Sequence, residues 1–127
     1  MIEVKMKNIV DDIQFFVEFA KMPMKAKVAY QAAKILDIIT EEYNRFNTVK
    51  NELIQKYGAR DDKGELIVDE NKNYVLSNDG AKDFSKELSE LLESTISINC
   101  EEINIDDLNN LDFTPAQMHA LMVYLKK

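Results

Sequence analysis

One stretch of sequence limits what this chain can become. From Pro23 to about Tyr57, apolar side chains recur at helical spacing. Val28, Ala32, Ile35, Leu36, Ile39, Tyr43, Phe46, Val49, Leu53 and Tyr57 keep to one stripe, and Gly58 supplies the stop. Pro23 stands in the first turn, where a missing N–H costs nothing. A helix of about 34 residues is roughly 50 Å long. A compact domain of this size has a diameter under about 40 Å. The helix must therefore bend or protrude, and a protruding apolar stripe calls for a partner. The simplest partner is a second copy of the chain. A homo-oligomer is expected, with Leu36, Ile39, Tyr43, Phe46 and Leu53 at its interface.

The flanking segments fill in the rest of one domain, residues 1–127, since the length suits a single core. Ile2, Val4 and Met6 alternate with Glu3 and Lys5, the period of a half-buried strand. Asn8 is placed to cap a first helix carrying Ile9, Val10, Ile13, Phe16, Val17 and Ala20, closed by Met22-Pro23. After Gly58, two short strands at 65–68 and 74–76 are separated by turn residues and predict a β-hairpin. Ser77, Asn78 or Asp79 would cap a helix whose Phe84, Leu88, Leu91 and Leu92 form a narrow apolar face. Thr95 to Ile105 is β-rich, with Ile96, Ile98 and Cys100 on one face and a break at Glu101-Glu102. Thr114-Pro115-Ala116-Gln117 has capping-box spacing with Pro at the first helical position. Met118, Leu121, Met122 and Leu125 then line a buried face, with Lys126-Lys127 at the negative helix end. No internal repeat is evident. The order β-α-α-β-β-α-β-α predicts a mainly helical α+β fold with a small antiparallel sheet.

Charge and composition exclude several functions. Residues 1–60 carry ten Lys and Arg against eight Asp and Glu, and residues 61–127 carry six against fifteen, for a net charge of −7. Such a chain is a poor nucleic-acid binder, because phosphate affinity comes from clustered cations. Its acidic half suits a basic partner. No apolar run is long enough for a membrane span. The start lacks the apolar core of a signal peptide, so a cytoplasmic site of action is expected. Cys100 and His119 are the single residues of their kinds, which leaves no disulfide framework and no Cys-based zinc module. No metal or cofactor is expected.

Few side chains invite catalysis. His119 has no Ser, Cys or Asp at a motif spacing and falls on a helix flank. Cys100 is flanked by Glu101 and reads as a small core hydrophobe. Counted from Asp61, Lys63 and Gly64 fall where a calcium loop needs an oxygen ligand and no glycine. Phosphate-cradling glycines and zinc-protease spacings are missing. A non-enzyme is expected. One constellation remains, Lys21, Lys25, Lys27, Tyr30 and Lys34, which brackets the start of the long helix. There the unpaired N–H groups favour an anion, and Tyr30 offers a ring for a base to stack on. A solvated lysine face would look the same.

The layout resembles a family of small proteins in phages and prophages of low-GC Gram-positive bacteria. The resemblance is carried by the short first strand, the Lys-rich start of the long helix, and Lys56-Tyr57-Gly58 to Gly64 before a strand. It continues through the Phe84–Leu92 helix, the Ile-rich strand, and Leu108 to Leu125 with its Thr-Pro-x-Gln cap. It implies a viral accessory or structural gene acting in a bacterial cell, and transfers no catalytic residue. The function expected is a non-catalytic accessory protein that binds a host or defence-system factor, or an anionic nucleotide-like ligand at the lysine face. The alternative is a virion or assembly component, tail- or head-associated.

Overall fold

The computed structural model describes residues 1–77 and 79–126. It comprises two compact units, one of Met1–Tyr43 with Ser94–Lys127 and one of Asn44–Glu93. The class is the expected mainly helical α+β, with a two-stranded antiparallel sheet.

In the first unit, β1 (Ile2–Lys5) pairs with β2 (Thr95–Ile98) in the register Ile2↔Ile98 and Val4↔Ile96. The predicted alternation holds, since Ile2, Val4 and Ile98 are buried while Glu3 and Lys5 face out. Helix α1 (Met6–Ala20) follows with no loop and begins before Asn8, the expected cap. Lys5 occupies the cap position without a side-chain hydrogen bond. The Met6 N–H instead donates to the Ser94 carbonyl at 2.9 Å. The residue leading into β2 thus satisfies a donor that a cap would otherwise take. Ile9, Phe16 and Phe19 are buried, and the Phe16 ring meets Phe19 and Tyr124 edge-on at 5.4 and 4.9 Å.

Helix α2 (Ala26–Tyr57) is continuous over 32 residues. Its stripe is not left open. Val28, Ala32, Ile35 and Ile39 are all but inaccessible, and Phe46 is 5% exposed. Ile39 and Phe46 are closed off within the single chain, and Leu36, Tyr43 and Leu53 are half-buried. The single chain thus covers much of the stripe by itself.

The strand expected to reach Ile105 stops at Ile98, where the Cys100 N–H turns back to the Ile98 carbonyl at 2.8 Å. Cys100 is buried, as its reading required. Ile103 forms an isolated parallel bridge with Leu125, and a 3-10 turn capped by Asn104 spans Ile105–Leu108. The capping box is present in full. The Thr114 hydroxyl accepts from the Gln117 N–H, and the Gln117 side chain accepts from the Thr114 N–H. Helix α4 (Pro115–Leu121) tightens to a 3-10 turn over Met122–Tyr124. At about three residues per turn, Met122 swings out to 59% exposure and Tyr124 swings in to 1%. That overturns the expected inward Met122. The Lys127 reading lies outside the described residues.

The second unit contains the largest departure. The predicted hairpin segments do pair, but with a third segment as well, through the bridges Gly58↔Leu76, Arg60↔Leu66 and Val68↔Tyr74. Three hydrogen bonds close a ring. The Ala59 N–H donates to Val75, the Val75 N–H to Ile67, and the Ile67 N–H to Ala59, at 2.8, 3.0 and 2.9 Å. These residues stand eight apart, and so do the turns that follow them. Gly64, Lys72 and Gly80 donate to the carbonyls of Asp61, Asp69 and Ser77. The Asp61 carboxylate accepts from the N–H groups of Lys63 and Glu65, and Asp69 accepts from Asn71 and Asn73 in the same pattern. Gly64 and Lys72 take φ of +81° and +65° at equivalent places. An internal structural repeat is therefore present where none was expected. The third turn opens α3 (Ala81–Glu93), and the Ser77 hydroxyl accepts from Gly80. The alternative cap Asn78 lies outside the described residues.

Candidate functional site

Of the lysine constellation, the structure brings Tyr30 and Lys34 together. All five of its residues are exposed. Lys21 pairs with Glu18 at 3.5 Å. Lys34 lies 5.2 Å from the centre of the Tyr30 ring, so a cation of the same helix covers one face of it. Lys27 lines a cleft of about 190 Å³ that also holds Lys126, Glu101, Glu102 and Asp107. An incoming anion there would meet carboxylates already suited to both ammonium groups. The Lys25 carbonyl accepts from the Ala29 N–H at the start of α2.

His119 is exposed on α4, as expected. Its charge acts on Asp12, whose carboxyl is pushed above its ordinary range by burial and by Asp11, with His119 opposing.

Two features that the sequence did not single out lie in the second unit. The first is a set of exposed apolar side chains on the closed ring: Ile67, Val68, Tyr74 and Val75, between 36% and 49% accessible. With only a few residues per segment, the ring turns Leu66 and Leu76 partly inward and leaves these outside. Its carbonyls and N–H groups pair around the ring, so an incoming strand finds few free partners. Contact here would be made by side chains.

The second is a cleft of about 390 Å³ formed by α2, the segment 72–76 and the start of α3. Helix α2 contributes Asn47, Lys50, Asn51 and Ile54, a run of i, i+3, i+4 and i+7 on one face. Lys72, Asn73 and Tyr74 come from the second turn, and Phe84 from α3. No carboxylate lines this cleft, although Asp and Glu supply 23 of the 127 residues. The volume exceeds the roughly 300 Å³ at which small-molecule sites begin. The α2 spacing was the signal available in the sequence. It lies beside the apolar stripe, whose stronger periodicity dominates the helix.

Beside the cleft, a Lys56–Tyr57–Glu87 group ties α3 to the end of α2. Lys56 Nζ lies 3.9 Å from Glu87 Oε1 and 4.9 Å from the Tyr57 ring centre. Tyr57's hydrogen bond to Glu87 holds its hydroxyl above the ordinary range, and the bond to Tyr57 raises Lys56. Gly80 packs so near Tyr57 that an added Cβ would stand 3.1 Å from that side chain.

No curated protein and no solved structure matches the chain. A family described as "Protein of unknown function (DUF1617)" matches residues 2–119. That span takes in β1, the whole of α2, the three-turn ring and the Thr114 capping box. Since both units fall within it almost entirely, the chain belongs to this family.

Proposed function

We propose that this protein is a non-catalytic phage or prophage accessory protein that acts by binding inside the bacterial cell, and that its contact surface is the three-turn ring of the second unit. The observation that carries the reading is the grouping of Ile67, Val68, Tyr74 and Val75 on one small element that is itself held by backbone hydrogen bonds. Exposed apolar side chains scattered singly need no explanation, but four on one module do. The phage setting rests on the resemblance of the sequence layout.

The rim commits the partner's chemistry. Asp61, Asp62, Glu65, Asp69 and Glu70 outnumber Arg60, Lys63 and Lys72 across the same segment. A second copy would set one acidic rim against another, at a cost in like-charge repulsion. The fitting occupant is a different protein, apolar at the centre of its patch and basic around it, such as a host or defence-system factor. Self-association through α2 has less behind it, with Ile39 and Phe46 closed off.

The test is recovery of the partner from infected cells, followed by titration of both purified proteins. Val68→Asp is expected to weaken binding at least ~10-fold, as is raising salt from about 50 to 300 mM. Undiminished binding by the variant contradicts the reading. So does a dimer that Val68→Asp dissolves, or recovery of the chain as a fixed component of purified particles.

A further inference from the structure

We propose that the acid-free cleft of the second unit binds an anion carrying a flat ring, of mononucleotide class. The cleft shares Tyr74 with the apolar contact surface, but its lysines and amides stand outside that surface and the inference does not rest on the proposed partner.

Three observations converge. Lys50 and Lys72 reach the cleft from different elements, and among the described residues neither stands in an ion pair. Two other exposed lysines do find carboxylates, Lys21 with Glu18 and Lys56 with Glu87. Two uncompensated ammonium groups at one cleft in a chain of net charge −7 form a local field suited to a phosphate.

The amides supply the second part. Asn47 and Asn51 lie one turn apart on α2, and among the described residues neither side chain has a hydrogen-bond partner. An amide offers a donor and an acceptor side by side, the complement of a base edge. The third part is aromatic. Tyr74 is 49% exposed and lines the same cleft, which gives a ring face on which a flat heterocycle stacks. Charge for a phosphate, amides for a ring edge and an aromatic face thus meet in a volume of about 390 Å³. An inorganic anion would use only the lysines, and a neutral aromatic ligand only the rest.

The experiment is a titration of the isotope-labelled full-length chain followed by backbone amide resonances, with adenosine monophosphate, inorganic phosphate and adenosine as separate probes. Adenosine monophosphate is expected to give saturable shifts at Asn47, Lys50, Asn51, Lys72 and Asn73. Phosphate and adenosine alone should each bind at least ~10-fold more weakly. Lys50→Ala combined with Lys72→Ala should weaken the nucleotide by at least ~10-fold with the remaining spectrum unchanged, which shows the fold intact. No saturable shift by about 5 mM nucleotide overturns the proposal. Shifts centred on Lys27 and Lys126, unchanged binding by the double variant, or phosphate binding as tightly as the nucleotide do so equally.

Discussion

The two units are held together by different forces. In the first, large apolar side chains from α1, β1, β2, α2 and α4 close on one another. Among the described residues, every large side chain that is fully buried, from Ile2 and Phe16 to Leu121 and Tyr124, belongs to it. In the second, Leu66, Leu76, Phe84 and Leu88 are only half-buried, and order comes from backbone hydrogen bonds around the ring and from Asp61 and Asp69 folding onto their own turns. A core of the first kind is stable but presents little to a partner. A module of the second kind leaves apolar and cationic groups outside, which is what a binding surface requires. The comparison places the closed core in one unit and, on the function proposed above, recognition in the other.

The sharpest way to break that contrast is to cut into the closed core. Phe16→Ala removes a ring packed against Phe19 and Tyr124 and is expected to cost about 3–5 kcal/mol. Denaturant unfolding measures it, and a loss below about 1 kcal/mol would mean the core is not what holds the first unit.

Gly58→Ala attacks the ring. The added Cβ would come within 2.5 Å of the Ile54 carbonyl oxygen and 2.6 Å of Leu66, for an expected loss of about 1–3 kcal/mol. Amide exchange should quicken at Ala59, Ile67 and Val75 while Ile9 and Ile98 stay protected.

Alkaline pH tests the core by another route. Burial pushes the Tyr124 hydroxyl well above its ordinary value of 10.0, with the Asp12 charge adding to the shift. The folded protein therefore keeps a proton that the unfolded chain releases. Stability is unaffected below pH 10 and falls as pH rises above it, by about 1 kcal/mol at pH 11. Tyr124→Phe should remove that alkaline component, read from unfolding midpoints at pH 8 and 11.

The smallest expected effect is Thr114→Ala, which deletes the reciprocal cap and should cost about 1 kcal/mol. Gln117→Ala should reproduce part of it, and additivity of the two losses would show that the hydrogen bonds are not coupled.

What was legible in the sequence follows the same division. Local chemistry announced β1 through alternation, α1 and α2 through periodicity, and α4 through Thr114 and Gln117. The ring was not legible as such. Its pairings join three segments, whereas the spacing suggests two, and of its equivalent turns two begin with Asp61 and Asp69 but the third with Ser77. The available signal was an apolar residue two places before each, at Ala59, Ile67 and Val75, with a period of eight. Met122 was misplaced because helical periodicity assumes 3.6 residues per turn and the chain tightens there. The lysine face was legible as a sequence pattern, whereas the carboxylates of Glu101, Glu102 and Asp107 come to share a cleft with Lys27 only through tertiary folding.

Native-state amide exchange on the full-length chain tests the central contrast most directly. The account predicts two populations: Ile9, Phe16 and Ile98 exchanging only through global unfolding, and Ala59, Ile67 and Val75 exchanging together at least ~100-fold faster by a local opening. A single common rate for both sets, moving in step with denaturant, would contradict it.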